Sequence, residues 1–408
     1  MTRARPAGAL LLFLGASAVL GEVVLWMLLP VLLWYAVRDL RWGVAFGVLG
    51  TYYLSLLSFP ISGILFTDAI VLASLWIAQD KRLGRHGLVV LLCYLLWLGY
   101  LAARAGSPEG WDKWQKIAGR GVVPLAGVLA LRGTGRIDRL LSPLLILSGA
   151  MTLYLAARWV VGASASPDRL QLVRLGPIHV GRAAGLALLL LVWKGGDLLR
   201  SRGLVALAAA IAGLVLLLSG SRGPLLGLVV CLPFLVPWRR LRRGHVWSAL
   251  AVVAAGFVIW QFVLGAQTRA RLTITPDALL SSQVRIILWQ DALEVWRSAR
   301  VWGQGLGSFA SRYSWAGLNI YPHSLVFEVL SELGIVGAGL LLAYFVATLV
   351  PRFRGGSLSI PFLALVVFFV LQALVSGDLT ANIELFVLAP LLVVDAPTLE
   401  PGKHATQP

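Results

Sequence analysis

Cysteine is almost missing from this chain of 408 residues; there are two, Cys93 and Cys231. Both fall inside apolar runs, with no CxxC and no pair in a loop, so neither a disulfide nor a zinc site is expected. Charge is scarce as well, at 13% of residues, and it leans one way: 35 Lys and Arg stand against 18 Asp and Glu. No internal repeat and no low-complexity linker interrupts the chain, which argues against a solenoid or a string of tethered modules.

Apolar sequence is what the chain has in quantity. Hydrophobic residues make up 59%, and apolar runs recur from end to end. That excludes a soluble domain with a single anchor and points to a polytopic membrane protein. A net charge of +17 would suggest nucleic acid in a soluble protein. In a membrane protein Lys and Arg instead mark cytoplasmic loops, so no nucleic-acid partner is expected.

Fourteen apolar segments can be read: 7–20, 23–37, 43–58, 61–78, 88–103, 121–131, 140–161, 180–193, 204–218, 223–237, 246–264, 324–350, 358–375 and 381–395. The first follows Met1–Arg5 and resembles a signal peptide, with Gly15-Ala-Ser-Ala18 like a cleavage site. A second apolar run follows at once, so an uncleaved first span is expected. The expected fold is all-α: a polytopic membrane protein of about 12–14 transmembrane helices. Residues 1–395 would form one transmembrane domain. Residues 396–408, polar and rich in proline, would be a disordered tail.

With the N-terminus inside, the alternate short loops together with the two termini collect 20 of the 35 basic residues, as cytoplasmic segments should. Both termini are then cytoplasmic. The remaining basic residues face outward, most of them in segments 104–120, 158–182 and 265–323. The last is the one large outward loop. Arg174, Arg182 and Arg222 sit in short outward turns or at helix ends, where a charge asks for a partner.

Residues 281–300 of the large loop predict an amphipathic helix on the membrane surface. Ser281 or Ser282 would cap it, and Ile286, Trp289, Leu293 and Trp296 would form its apolar stripe. Gly303-Gln304-Gly305-Leu306-Gly307 is no dinucleotide fingerprint, since it lacks the third spacing and follows a helix. Gly305 and Gly307 instead predict a tight turn whose N–H groups could face an anion. Of the five histidines, His323 is the candidate base: it lies where the loop re-enters the membrane, and a neutral imidazole accepts a proton near neutral pH. Outward guanidinium groups suit a lipid diphosphate and could stabilise it as a leaving group without a metal. No outward DxD-like carboxylate pair offers a divalent-ion site, so neither metal nor cofactor is expected.

These residues resemble the O-antigen ligase and O-antigen polymerase superfamily. The resemblance rests on Ser219-Gly-Ser-Arg222-Gly, Arg285 with Trp289, Gly303-x-Gly305-x-Gly307-Ser-Phe309, Tyr321-Pro-His323 and Glu332-Leu-Gly334-Ile-Val-Gly337, in the family's order. Arg174-Leu-Gly176 looks like the family's upstream arginine, and Ser324 stands where the family usually has Asn. The resemblance implies a metal-independent inverting glycosyltransferase in the bacterial inner membrane, with a periplasmic active site. Its donor would be a glycan on undecaprenyl diphosphate. Its acceptor would be lipid A–core in a ligase, or a second lipid-linked glycan in a polymerase. His323 would take the acceptor's proton, Arg174, Arg285 and Arg222 would hold the diphosphate with Arg182 assisting, and Glu328 or Glu332 would orient His323. A helix-end role for Arg222 and a structural role for Glu332 stay open. A small-solute transporter is the competing class, but transporters place binding groups at mid-membrane, and here the polar residues gather at one face.

Overall fold

The computed structural model describes residues 16–17, 19–56, 63–78, 83–133, 137–165, 170–172, 175–199, 201–235, 268–269, 272, 276–313, 321–353 and 357–394. The helices, in chain order, are α1 (Glu22–Arg38), α2 (Leu40–Leu56), α3 (Gly63–Ile77), α4 (Arg85–Arg104), α5 (Pro108–Gly133), α6 (Leu141–Val160), α7 (Pro177–Leu199), α8 (Arg202–Leu218), α9 (Arg222–Leu235), α10 (Pro276–Ser298), α11 (Ser308–Tyr313), α12 (Leu325–Phe353), α13 (Ile360–Val375) and α14 (Ile383–Leu388). Two short strands, β1 (Ser357–Leu358) and β2 (Val393–Val394), pair antiparallel. The protein is an all-α polytopic membrane protein. Four helical stretches are long and apolar enough to cross a bilayer: Arg85–Arg104, Ile137–Val160, Pro177–Leu199 and Leu325–Pro351; shorter apolar helices accompany them. The expected segments at 246–264 and most of 7–20, and the tail, lie outside the described residues.

Helices with apolar residues on every side need small residues to approach one another, since lipid is as apolar as leucine. Gly43, Gly47 and Gly50 supply this on α2. A Cβ on any of them would lie within 3 Å of Ser74, Val71 or Thr67 of α3. Gly185 of α7 and Gly227 of α9 meet the Phe368 ring of α13 in the same way. Large rings fill the centre: Tyr94, Trp97, Tyr344 and Phe386 are buried and in mutual contact. Outward-facing apolar residues such as Val23, Met27 and Trp76 are left for lipid.

Three expectations need correction. Segment 104–120, read as an outward loop, is mostly the first half of α5. Gly110, Lys113 and Ile117 make its buried face, and a lysine at the inward position hid the helical pattern. The loop helix α10 starts at Pro276, so Ser281 and Ser282 lie inside it and cap nothing. Its buried stripe is Leu288, Ala292 and Val295, packed with Phe309, not the expected stripe, whose Ile286 is exposed. Last, the segment from 381 is not one regular span: a 3-10 turn Thr380–Asn382, α14 and a second 3-10 turn Ala389–Leu392 share it.

Candidate functional site

His323 ends the loop two residues before α12. It is the one non-glycine with a left-handed backbone among the described residues, at φ 56°. Such a conformation costs about 1–3 kcal/mol and persists only where the surroundings impose it. Two contacts from α10 and α12 do so. Trp289 donates from Nε1 to the Pro322 carbonyl at 2.9 Å, and its ring stacks on Phe327 at 5.2 Å. The Tyr321 ring lies 4.3 Å from the imidazole. Buried Nδ1 of His323 has no hydrogen-bond partner in the structure. Burial pushes its pKa down to about 4, the Arg285 charge pushes the same way, and Asp378 opposes them. The ring is therefore neutral at physiological pH. Burial also raises the Tyr321 phenol to about 12, so it keeps its proton.

Arg285 sits one helical turn before Trp289, so both side chains leave the same side of α10. Its guanidinium donates to the Val375 carbonyl at 3.1 Å. Burial lowers its pKa, and the charge of Arg222, at the start of α9, lowers it further. Two guanidinium groups thus feel each other beside a neutral imidazole, an arrangement that an anion would relieve. Arg174 lies outside the described residues.

The turn between α13 and α14 joins the site together, and sequence reasoning missed it. Asp378 Oδ1 accepts from the Ala381 N–H at 2.9 Å and from the Thr380 hydroxyl at 2.8 Å. Five other helices hold the turn. Arg182 of α7, 1% exposed, donates to Gln372 Oε1 at 2.8 Å, to Asn382 Oδ1 at 2.7 Å and to the Ala381 carbonyl. Arg120 of α5 donates to the Thr380 carbonyl at 2.9 Å and pairs with Glu384 at 3.3 Å. Tyr52 of α2 donates to Glu384 at 2.5 Å, and its ring lies 5.4 Å from His179. Glu328 of α12 accepts from the Leu379 N–H at 2.9 Å, and Arg285 of α10 reaches Val375. The available signal was Asn382 and Glu384 at the head of an apolar segment, where a polar residue is a functional pointer.

The two glutamates differ from expectation. Glu328 and Glu332 both pair with Lys113 of α5, Glu332 at 2.7 Å, and no hydrogen bond joins either to His323. The carboxylate whose charge reaches the imidazole is Asp378. Arg182 is committed to the turn, so it positions the site's wall and presents no free edge to a phosphate.

The glycine motifs also find a physical cause. Gly334 breaks α12 with φ 66° and ψ −166°. The break frees backbone groups of α12, and the 299–306 turn satisfies them. Gln304 and Gly305 donate to the Ser331 and Glu332 carbonyls, while Ile335 and Val336 donate to those of Arg300 and Val301. A Cβ on Gly303 would lie 2.4 Å from the Glu332 backbone, and one on Gly334 2.4 Å from the Val301 carbonyl. Of this turn's N–H groups, those of Gly303, Gln304, Gly305 and Leu306 go to backbone carbonyls and so do not face an anion.

Residues 207–342 match the family model described as O-antigen ligase. The matched stretch contains Arg222, Arg285, Gly305, Gly307, His323, Glu328, Glu332 and the kink of α12. No curated protein matches the chain.

Proposed function

We propose that this chain, which belongs to the O-antigen ligase superfamily through residues 207–342, is an O-antigen ligase. In this reading it moves a glycan from undecaprenyl diphosphate to a hydroxyl of lipid A–core. The work takes place at the periplasmic face of the bacterial inner membrane, with both termini cytoplasmic. Glycosyl transfer of the O-antigen ligase or polymerase type is the family's activity; donor, acceptor and sidedness are our reading.

The observation that carries it is a neutral, half-buried histidine with an unpartnered ring nitrogen beside Arg285 and Arg222. In the proposed step His323 takes the proton from the acceptor hydroxyl, whose oxygen attacks the anomeric carbon of the donor sugar from the face opposite the diphosphate. The bond between that carbon and the diphosphate oxygen breaks, the configuration inverts, and undecaprenyl diphosphate leaves with the bonding electrons. Arg285 and Arg222, with Arg174, bind the diphosphate and stabilise the charge it gains. Binding the anion also offsets the Arg285 charge that suppresses His323, so donor binding raises the basicity of the base. Arg182, Arg120 and Glu328 hold the turn that carries Asp378 against this pocket. Gly305 and Gly307 fix the loop behind it.

The test uses purified protein in lipid nanodiscs with an undecaprenyl-diphosphate oligosaccharide, wild type beside His323→Ala. Transfer that appears only when lipid A–core is added, and that drops about 10²–10⁴-fold in the variant, is expected. A ladder of lengthening lipid-linked glycans without lipid A–core would assign the polymerase reaction instead. Solute uptake that survives His323→Ala and Arg285→Ala, with no transfer, would overturn the transferase reading.

A further inference from the structure

A cavity of about 540 Å³ opens between the end of α4, the start of α5 and the turn leading into α11. None of its lining residues belongs to the His323 cluster. Its polar lining is Arg104, Ser107, Gln304, Ser308, Ser311 and Arg312. Arg104 donates to the Gly303 carbonyl at 2.8 Å, yet its buried Nε has no hydrogen-bond partner, and neither has the buried Ser308 hydroxyl. Neither arginine forms an ion pair with a described residue. The carboxylate at the rim, Glu109, accepts from Ser311 at 3.3 Å.

The wall is rigid. Gly305 and Gly307 take φ 109° and 77°. A Cβ on Gly307 would lie 2.7 Å from the Gly110 nitrogen, and one on Gly110 2.4 Å from the Leu306 carbonyl, so this turn is pressed directly against α5. Leu306 N–H bonds to the Arg104 carbonyl at 2.9 Å, which fixes the turn to α4 as well. The result is a closely packed cavity lined by two guanidinium groups, three hydroxyls and an amide, with an unpartnered donor on two of the lining residues, Arg104 and Ser308. Two cations ask for an anion, and hydroxyls with an amide match the many donors and acceptors of a sugar.

We propose that this cavity binds an anionic saccharide, a sugar bearing phosphate or carboxylate, as a second subsite of the transferase; the inference rests on the function proposed above. Glu332, whose carbonyl holds Gly305, and Leu325, beside His323, are about 10 Å apart along α12 at 1.5 Å per residue. That axial spacing is within the length of a short oligosaccharide. The same chemistry could come from the acceptor's charged sugars or from the donor's own glycan.

Full-length protein in nanodiscs is titrated with a phosphorylated core oligosaccharide and with the same oligosaccharide after phosphatase treatment. Wild type, Arg312→Gln and Arg104→Gln are compared. Arg312 is exposed, and among the described residues it makes no hydrogen bond or ion pair and only a 6.0 Å contact over the Tyr313 ring, so its variant should stay folded even if Arg104→Gln does not. Removing one charge on either side, by Arg312→Gln or by phosphatase, should weaken binding about tenfold. In the transfer assay Arg312→Gln should raise one KM about five- to tenfold and leave kcat within about twofold, as expected for lost uniform binding. A rise in the acceptor KM assigns the anion to the acceptor, and a rise in the donor KM assigns it to the donor glycan. Equal probe binding in all three proteins, with both KM values unchanged in a wild-type enzyme that turns over, overturns the subsite and spares the transferase. Probe binding that depends on Arg312 without any transfer keeps the subsite and overturns the function it was read from.

Discussion

The ammonium of Lys113 sits between two carboxylates from another helix, and its removal is the sharpest stability test the structure offers. Lys113 touches Glu328 and lies 2.7 Å from Glu332, with side-chain exposures of 9%, 0% and 1% for the three. Lys113→Met keeps the length and the apolar stem but leaves two buried carboxylates facing each other. Among the described residues only the Leu379 N–H still serves one of them. Breaking a buried ion pair from one side costs about 3–5 kcal/mol, because the remaining charge is uncompensated. At roughly 2 °C per kcal/mol for a large chain, the apparent melting point should fall by about 6–10 °C. Tryptophan fluorescence during a thermal ramp in detergent reads this. The combined change Lys113→Met, Glu328→Gln and Glu332→Gln removes the stranded charges and should recover most of the loss. A single variant melting within about 2 °C of wild type, or a triple variant no better than the single, would refute the account.

Three other outcomes are expected. The free enzyme's kcat/KM should hold as pH falls past the ordinary histidine value of 6.5 and decline only near 4, where half-buried His323 takes a proton; an acid limb at 6.5 would contradict this account of the site. The sign for stability is linked: between 6.5 and 4 the unfolded chain binds a proton that folded His323 refuses, so this residue makes the fold less stable as pH falls through that window. Gly334→Ala should sharply reduce the yield of monodisperse protein in size-exclusion chromatography, since its Cβ would meet the Val301 carbonyl at 2.4 Å at a φ of 66°. Arg285→Lys keeps the charge but loses the planar fork, and transfer should slow about 10–100-fold while the melting point stays near wild type.

The membrane class was legible because hydropathy is a local property, and the helices α2, α7, α8 and α13 lie close to their expected segments. His323 and Arg222 stand out because each is a charged or titratable residue at the end of an apolar run, and Arg285 because it lies with Trp289 in the loop helix and in the motif that carries the resemblance. What escaped was pairing over distance. The start of α5 looks like a loop in sequence because Lys113 breaks its apolar face, and the carboxylates that make that lysine tolerable are more than two hundred residues further on. Likewise Asn382 and Glu384 were counted into an apolar span, although Arg182 and Arg120 make them part of the site. Glu328 and Glu332 were read against their neighbour in sequence, His323, when their partner was across the bundle.

These misses share a logic. In an apolar interior a polar group is tolerated only with its partner, so each buried charge implies another one elsewhere. The chain has few acids, and Glu328, Glu332, Asp378 and Glu384 all fall on α12 or on the turn before and within α14, while Lys113, Arg120 and Arg182 come from the first half. The family match covers residues 207–342, and the C-terminal turn at 376–384 lies beyond it. The matched stretch supplies the histidine and two arginines, yet the turn that packs beside them lies after it and is held by basic chain before it. A version of this protein cut to the matched residues would leave Glu328 and Glu332 without Lys113, and Arg285 without the Val375 carbonyl. It should therefore fail to fold, and that failure would show that the site belongs to the whole bundle.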